Sequence, residues 1–206
     1  MRWEVAEIFY SIQGEGYFVG TPAIFIRFST CNLNCSFCDE KNLKIHKYDF
    51  EMIFKEVKKY PSKFLILTGG EPLYQENISY FIEEMIKKGY FVAIETNGTL
   101  SISVNEKYRK KLWLTVSPKT LNFLKFANEY KFLYDIYNEY LLNIWEYVQK
   151  DIENLYKITP HIFLQPVYYE DEKKYFNNIN KSIEIVKKYP QYLKLSVQMH
   201  KFLGIK

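Results

Sequence analysis

The chain has little cysteine, little net charge and no long apolar run. No stretch of its 206 residues approaches the roughly 18 apolar positions that a membrane-crossing helix needs, so no membrane association is expected. The opening residues, MRWEVAEIFYSIQGEG, lack the apolar stretch and small-residue cleavage site of a secretory signal, and a cytoplasmic location is the expectation. Absent too are Pro/Gly/Ser linkers, low-complexity tracts and repeats of roughly 20–50 residues, which leaves one domain over residues 1–206. Lys and Arg total 28 against 24 Asp and Glu, a net charge of +4 dispersed along the chain. So mild a field predicts no nucleic-acid partner. Tyrosine, at 19 residues, is abundant throughout, so aromatics beside lysines do not mark a stacking groove for RNA.

What the chain does have is an alternation of short apolar runs with helical patterns. Strands are predicted over residues 23–28, 63–68, 90–95, 111–117, 130–136, 161–167 and 192–197, and helices over 50–60, 77–89, 137–152 and 170–189. Such alternation predicts an α/β fold with a parallel sheet built from crossovers. Six or seven strands are too few for a closed eight-stranded barrel, which leaves a partial barrel or an open doubly wound sheet. Polar or turn-forming loops follow the strands: a cysteine loop after Phe28, then TGGEP (68–72), ETNGT (95–99), SPK (117–119) and QP (165–166). In parallel α/β folds ligands bind at that edge. Turn punctuation explains any one of these loops but not five together.

All three cysteines, Cys31, Cys35 and Cys38, lie in STCNLNCSFCDE (29–40). Thiolates are soft ligands suited to zinc or iron–sulfur clusters. Structural zinc takes four ligands, and the nearest fourth would be His46. An odd count leaves a thiol over in any disulfide scheme, and disulfides do not suit the cytosol. A [4Fe–4S] cluster is usually held by four thiolates, so three leave one iron open. An open coordination position is the mark of a metal site that does chemistry.

The C-x3-C-x2-C spacing, with Phe37 before the last cysteine and GGEP (69–72) after the next strand, resembles the radical S-adenosylmethionine enzymes. The longer stretch YSIQGEGYFVGTPAIFIRFSTCNLNCSFCD, followed in order by ETNGT, SPK, FLQP and QMHKFLGIK, is similar to the 7-carboxy-7-deazaguanine synthase family. That similarity spans essentially the whole chain and is weakest over residues 105–158. The resemblance implies an α/β partial (trimmed) TIM-like barrel of about six parallel strands with few helices. It also implies a homodimer, and as cofactors a [4Fe–4S] cluster, S-adenosylmethionine and Mg2+. The electron donor would be of flavodoxin or ferredoxin type. The implied reaction is that of a lyase: 6-carboxy-5,6,7,8-tetrahydropterin becomes 7-carboxy-7-deazaguanine with release of ammonia, a step toward queuosine, a tRNA modification, and other 7-deazapurines. The cofactor's methionyl group chelates the open iron, and a 5′-deoxyadenosyl radical takes a hydrogen from the carbon bearing the substrate carboxylate.

Residue by residue, the resemblance implies that Cys31, Cys35 and Cys38 hold the cluster. Phe37, Cys38, Asp39, Gly69, Gly70, Glu71, Ser117, Pro118, Lys119 and Gln165 would contact the adenosylmethionine. Ile12, Gln13, Gly14, Glu15, Arg27, Thr68, His200 and the chain-end carboxylate of Lys206 would contact the pterin. No side chain beyond the cofactor radical is expected to be catalytic. The chemistry of the residue types agrees: Arg27 offers a planar fork to a carboxylate, and Glu15 can accept from an amino-pyrimidine edge. Gly14 and Gly16 are expected to let the backbone approach a flat ring. One departure stands out. Glu40 occupies a position where the family usually has a threonine associated with magnesium. A carboxylate there either binds the ion more strongly or replaces it by a salt bridge, so a magnesium effect unlike the family norm is expected. Two other readings compete. A glycyl-radical enzyme activase shares the cysteine loop but would modify a protein. An iron–sulfur electron-transfer protein would not need TGGEP or the polar loops ending the other strands.

Overall fold

Pleating sends alternate residues of a strand to opposite faces, and here that alternation builds one core and one cavity. The computed structural model describes residues 1–38, 40–41 and 43–206. Its strands are β1 (Trp3–Ile12), β2 (Pro22–Phe28), β3 (His46–Tyr48), β4 (Phe64–Gly69), β5 (Phe91–Thr96), β6 (Leu112–Val116), β7 (Glu129–Tyr134), β8 (Ile162–Pro166) and β9 (Lys194–Leu195). They form one nine-stranded sheet in the order β3-β1-β2-β4-β5-β6-β7-β8-β9. From β2 to β9 each neighbouring pair is parallel. An antiparallel ribbon of β1 and β3 is added at the β2 edge. The α-helices are α1 (Phe50–Val57), α2 (Ile78–Lys87), α3 (Glu139–Val148), α4 (Ile152–Ile158), α5 (Glu172–Lys188) and α6 (Met199–Leu203). The architecture is α/β with a mostly parallel sheet and few helices, as expected.

Ile24, Ile26, Leu65, Leu67, Val92 and Ile94 face outward into the main core, against Phe81, Ile82 and Met85 of α2 and further apolar residues of α1, α3 and α4. The intervening positions face inward. Phe25, Ile66, Ala93 and Trp113 stand in register across four strands and, with Phe9 and Ala23, form a smaller apolar layer. Two residues further on, the same face carries Arg27 opposite Thr68 and Glu95 opposite Thr115, which pairs in turn with Glu129; four residues beyond Glu129 the face carries Leu133 opposite Gln165. An apolar layer therefore underlies a polar one at the carboxyl ends of the strands.

The β1–β2 loop reaches across the sheet toward the segment after β9. In the β1–β2 loop, Phe18 packs on Phe64 and Trp113 at ring distances of 4.8 and 4.9 Å, and Tyr17 stacks on Trp113 at 4.8 Å. The Gly16 N–H donates to Ser196 Oγ at 3.1 Å, and the Met199 N–H donates to the Gly14 carbonyl at 3.0 Å. These contacts tie the loop to the segment after β9.

The observed elements depart from the sequence reading in several places. β1, β3 and α6 were not expected. A register irregularity between Val5 and Glu7 switches faces mid-strand, so Trp3 and Val5 join the outer core while Phe9 joins the inner layer. The helix expected over 137–152 is capped by Asn138 and ends at Val148, and a 3-10 turn (Gln149–Asp151) leads into α4. The last strand is shorter than expected, because the Tyr192 and Leu193 N–H groups both bond to the Tyr189 carbonyl at 3.0 Å.

α5 docks through a polar residue. Its buried Asn178 donates to the carbonyls of Tyr134 and Val167, both at 3.1 Å, and accepts from the Ile136 N–H at 3.1 Å. Replacing it with leucine leaves the Ile136 N–H and the Val167 carbonyl without partners, while the Tyr134 carbonyl keeps its bond from the Val167 N–H. Asn178→Leu is expected to cost about 2–4 kcal/mol, read as a lower urea midpoint at unchanged slope.

Candidate active site

Over the polar layer opens a cavity of about 330 Å³, a size suited to a small molecule. One side is the cysteine rim: Cys31, Cys35, Phe37, Cys38 and Glu40 all line the cavity. Beside it come Thr68, Gly69, Gly70, Ser117, Lys119 and Gln165 from the ends of successive strands. From the β1–β2 region come Ile12, Gln13, Gly14, Glu15 and Arg27, and from the C-terminal segment His200 and Lys206. Almost every residue singled out from the sequence is thus brought to one cavity. Glu71 and Pro118 are not among its lining residues, and Asp39 lies outside the described residues.

The rim is built on close backbone packing. The Gly70 N–H donates to the Phe28 carbonyl at 2.9 Å and the Glu71 N–H to the Thr30 carbonyl at 2.8 Å. A Cβ on Gly70 would stand 2.1 Å from the Thr30 oxygen, and Gly69 has φ +99. Only glycines let GGEP lie against the root of the cysteine loop. Glu71, expected to touch the cofactor, is wholly buried behind the wall. Burial pushes its carboxyl up; the Asn97 N–H and the Thr96 hydroxyl, both at 2.7 Å, and the Leu73 N–H at 2.9 Å oppose this. Glu71 thereby fixes the ETNGT loop, whose Asn97 donates to Asn32 Oδ1 at 3.0 Å and stands 4.0 Å from Cys31 Sγ. Burial pushes the Cys31 and Cys35 thiols up, reinforced by their sulfur neighbours. Three soft donors on one short loop, within each other's field, fit the needs of an iron–sulfur cluster.

Arg27 does not wait with an empty fork. Its Nε lies 3.0 Å from Glu7 Oε1, and its Nη1 is paired with Glu40. Lys206 pairs with Glu7 in turn, and both cations lie over the Phe9 ring.

The floor holds residues the sequence reading missed. Lys131, on β7, pairs with Glu15 and, at 2.9 Å, with Glu95 Oε2. Gln198 donates to the other Glu15 oxygen at 2.9 Å, and Gln13 donates to Glu95 Oε1 at 2.7 Å. Burial alone would raise the Glu15 carboxyl, but the Lys131 ammonium and these donors hold it well below the usual carboxylate range. A lysine amid the apolar run YKFLY was the available signal for this network. The glycine expectation also needs correcting. A Cβ on Gly14 would fall 2.4 Å from His200 Nδ1, and one on Gly16 (φ +66) 2.0 Å from Glu129 Oε1. The room at both glycines is taken by protein neighbours.

A parallel sheet with a three-thiol rim and a glycine-lined loop beside it defines a radical S-adenosylmethionine enzyme, and residues 25–175 match the Radical SAM superfamily. The chain is 37% identical to the 7-carboxy-7-deazaguanine synthase of Bacteroides thetaiotaomicron over 100% of both chains. It is 30% identical to the Haemophilus influenzae synthase over 99% of this chain and 94% of the relative. The crystal structure of QueE from Escherichia coli superposes with a TM-score of 0.77 at 26% identity, covering 97% of this chain and 95% of that one. The chain belongs to the 7-carboxy-7-deazaguanine synthase family.

Behind Lys131, burial pushes the Glu129 carboxyl up to about 7, although Lys131 opposes it. Its native state therefore holds a proton that the unfolded chain releases near the ordinary carboxyl value of 4.5. The resulting stability is full below that value and is lost as pH rises through about 7. Glu129→Gln, neutral at every pH, is expected to flatten this part of the stability–pH curve in urea melts between about pH 5 and 8.

Proposed function

We propose that this chain, acting as one unit over residues 1–206, converts 6-carboxy-5,6,7,8-tetrahydropterin to 7-carboxy-7-deazaguanine and ammonia, a step toward queuosine and related 7-deazapurines. The observation that carries the reading is that the cysteine rim, the GGEP backbone and an amide–carboxylate floor share one cavity. When bound, a [4Fe–4S] cluster and S-adenosylmethionine supply the radical that takes a substrate hydrogen. Cys31, Cys35 and Cys38 hold the cluster. Phe37, Gly69, Gly70, Ser117, Lys119 and Gln165 receive the nucleotide, with Asp39 as the resemblance implies. Ile12, Gln13, Gly14, Glu15, Thr68, His200 and the chain-end carboxylate of Lys206 orient the pterin, and Arg27 is the partner for its carboxylate. A flavodoxin- or ferredoxin-type donor reduces the cluster, and the working state is a cytoplasmic homodimer.

The reading is tested with anaerobically reconstituted protein, dithionite and S-adenosylmethionine. Formation of 5′-deoxyadenosine excludes a simple electron carrier. Added carboxytetrahydropterin should then give deazaguanine product and equimolar ammonia; radical cleavage with no consumption of the pterin would favour the activase reading instead.

Glu40 governs the metal. Its carboxylate already pairs with Arg27, which supports the salt bridge as the substitute for magnesium rather than tighter binding of the ion. Magnesium should therefore change wild-type turnover little, while Glu40→Thr should become magnesium-responsive. Titration of Mg2+ into both proteins checks this, and identical curves reject it.

A further inference from the structure

Lys131 belongs to none of the motifs that carry the family resemblance, yet it is the most enclosed cation of the cavity, with a side chain only 5% exposed. Charged groups meet it from three elements. Glu15 comes from the β1–β2 loop, Glu95 from β5, and Glu129 stands two residues away on β7 itself. Each of the first two carboxylates gives one oxygen to Lys131 and the other to a glutamine amide, Gln198 for Glu15 and Gln13 for Glu95. Gln165 is a further donor to Glu15; a carboxylate has about four lone-pair sites, so both carboxylates can still accept a bond from a ligand.

We propose that Lys131 is a positioning residue for substrate recognition: it holds Glu15 and Glu95 as two oriented, ionised acceptors for the N–H donor edge of a pterin. The proposal rests on the pterin reading above. The amide N–H and exocyclic amine of that edge form a paired donor like that of a guanidinium, which a carboxylate meets well only when ionised. Two carboxylates crowded together in a dehydrated cavity would not both stay ionised without a cation between them. A protonated one would set a donor against a donor. Lys131 removes that conflict. Its own ammonium is stabilised by the three carboxylates against the cost of burial. Glu129 lies behind, held by the Tyr17 N–H at 3.3 Å and Trp113 Nε1 at 3.2 Å. The remaining titratable groups near this floor are His200, whose ring abuts Gly14, and Tyr175 of α5, whose charge couples to Glu15.

The test compares wild type, Lys131→Met and Lys131→Arg, using anaerobic calorimetry of carboxytetrahydropterin binding together with KM and kcat from pH 6 to 8.5. Lys131→Met should weaken pterin binding and raise KM roughly tenfold to hundredfold near neutrality. Its KM should fall as pH rises and the buried Glu15, no longer facing the ammonium, ionises, whereas wild-type KM stays flat over that range. S-adenosylmethionine binding should be unchanged, and Lys131→Arg should recover most of the affinity. A Lys131→Met enzyme with wild-type pterin affinity and a flat KM profile overturns the proposal, as does a loss confined to kcat. Where Lys131→Met does not fold, Lys131→Met/Glu129→Gln, which removes the ammonium together with the carboxyl behind it, carries the same comparison. Wild type that binds no pterin overturns the functional reading and this one together; wild type that binds it as tightly as the methionine variant overturns this one alone.

Discussion

A single constraint, the two-residue period of in-register parallel strands, sets up everything else in this molecule. Phe25, Ile66, Ala93 and Trp113 form an apolar layer because each is aligned with the next. Two residues along, the same alignment delivers Arg27, Thr68, Glu95 and Thr115 to one surface, where Thr115 pairs with Glu129. A one-residue slip of any strand would send its polar residue into the outer core and an apolar one into the cavity. The geometry of the site is therefore a by-product of the same pairing that buries the core.

The charges in this cavity are affordable only as groups. A lone buried carboxylate or ammonium takes up or loses a proton rather than stay charged. Lys131 stays protonated because three carboxylates surround it, and Glu15 stays ionised because Lys131 and Gln198 bond to it. Glu129, furthest from compensation, is the member that yields, with its carboxyl pushed up to about 7. The network joins the β1–β2 loop, β5, β7 and the segment before α6. It thus ties together parts of the chain that strand pairing leaves apart.

How much of this was legible in the sequence depended on whether a signal was local. The parallel strands from β2 to β8 were readable because their apolar runs are continuous and bounded by Gly, Pro or polar turns. The cysteine rim was readable because its spacing is itself the chemistry. β1 was hidden by the irregularity between Val5 and Glu7, which breaks the alternation a reader looks for. β3, three largely exposed residues, has no pattern at all. The roles of Gly14, Gly16 and Glu71 were misread for a common reason: each is fixed by a residue distant in sequence, namely His200, Glu129 and the Thr96–Asn97 pair. Lys131 was overlooked because a lysine in an apolar strand gains meaning only when its partners, 116 and 36 residues away, are known.

Arg27 shows how one substitution on a loop alters the task of a wall residue. Arg27, Lys206, Glu7 and Glu40 form a linked set with two charges of each sign. Such a set is neutral before any ligand arrives, so a substrate carboxylate would bring uncompensated negative charge. It can bind favourably only by displacing a protein carboxylate from Arg27 or by drawing in a further cation. Glu7 stands directly opposite Arg27 in the β1–β2 ladder and is held by backbone pairing. Glu40 rides on the cysteine loop, outside any strand or helix. Of the two, Glu40 is the carboxylate that can leave without disturbing the sheet. A threonine in its place would leave Arg27 and Lys206 facing Glu7 alone, a cavity wall with net positive charge before the substrate enters. On the proposed placement of the substrate carboxylate at Arg27, the residue at position 40 therefore decides whether that end binds by exchange or by simple attraction.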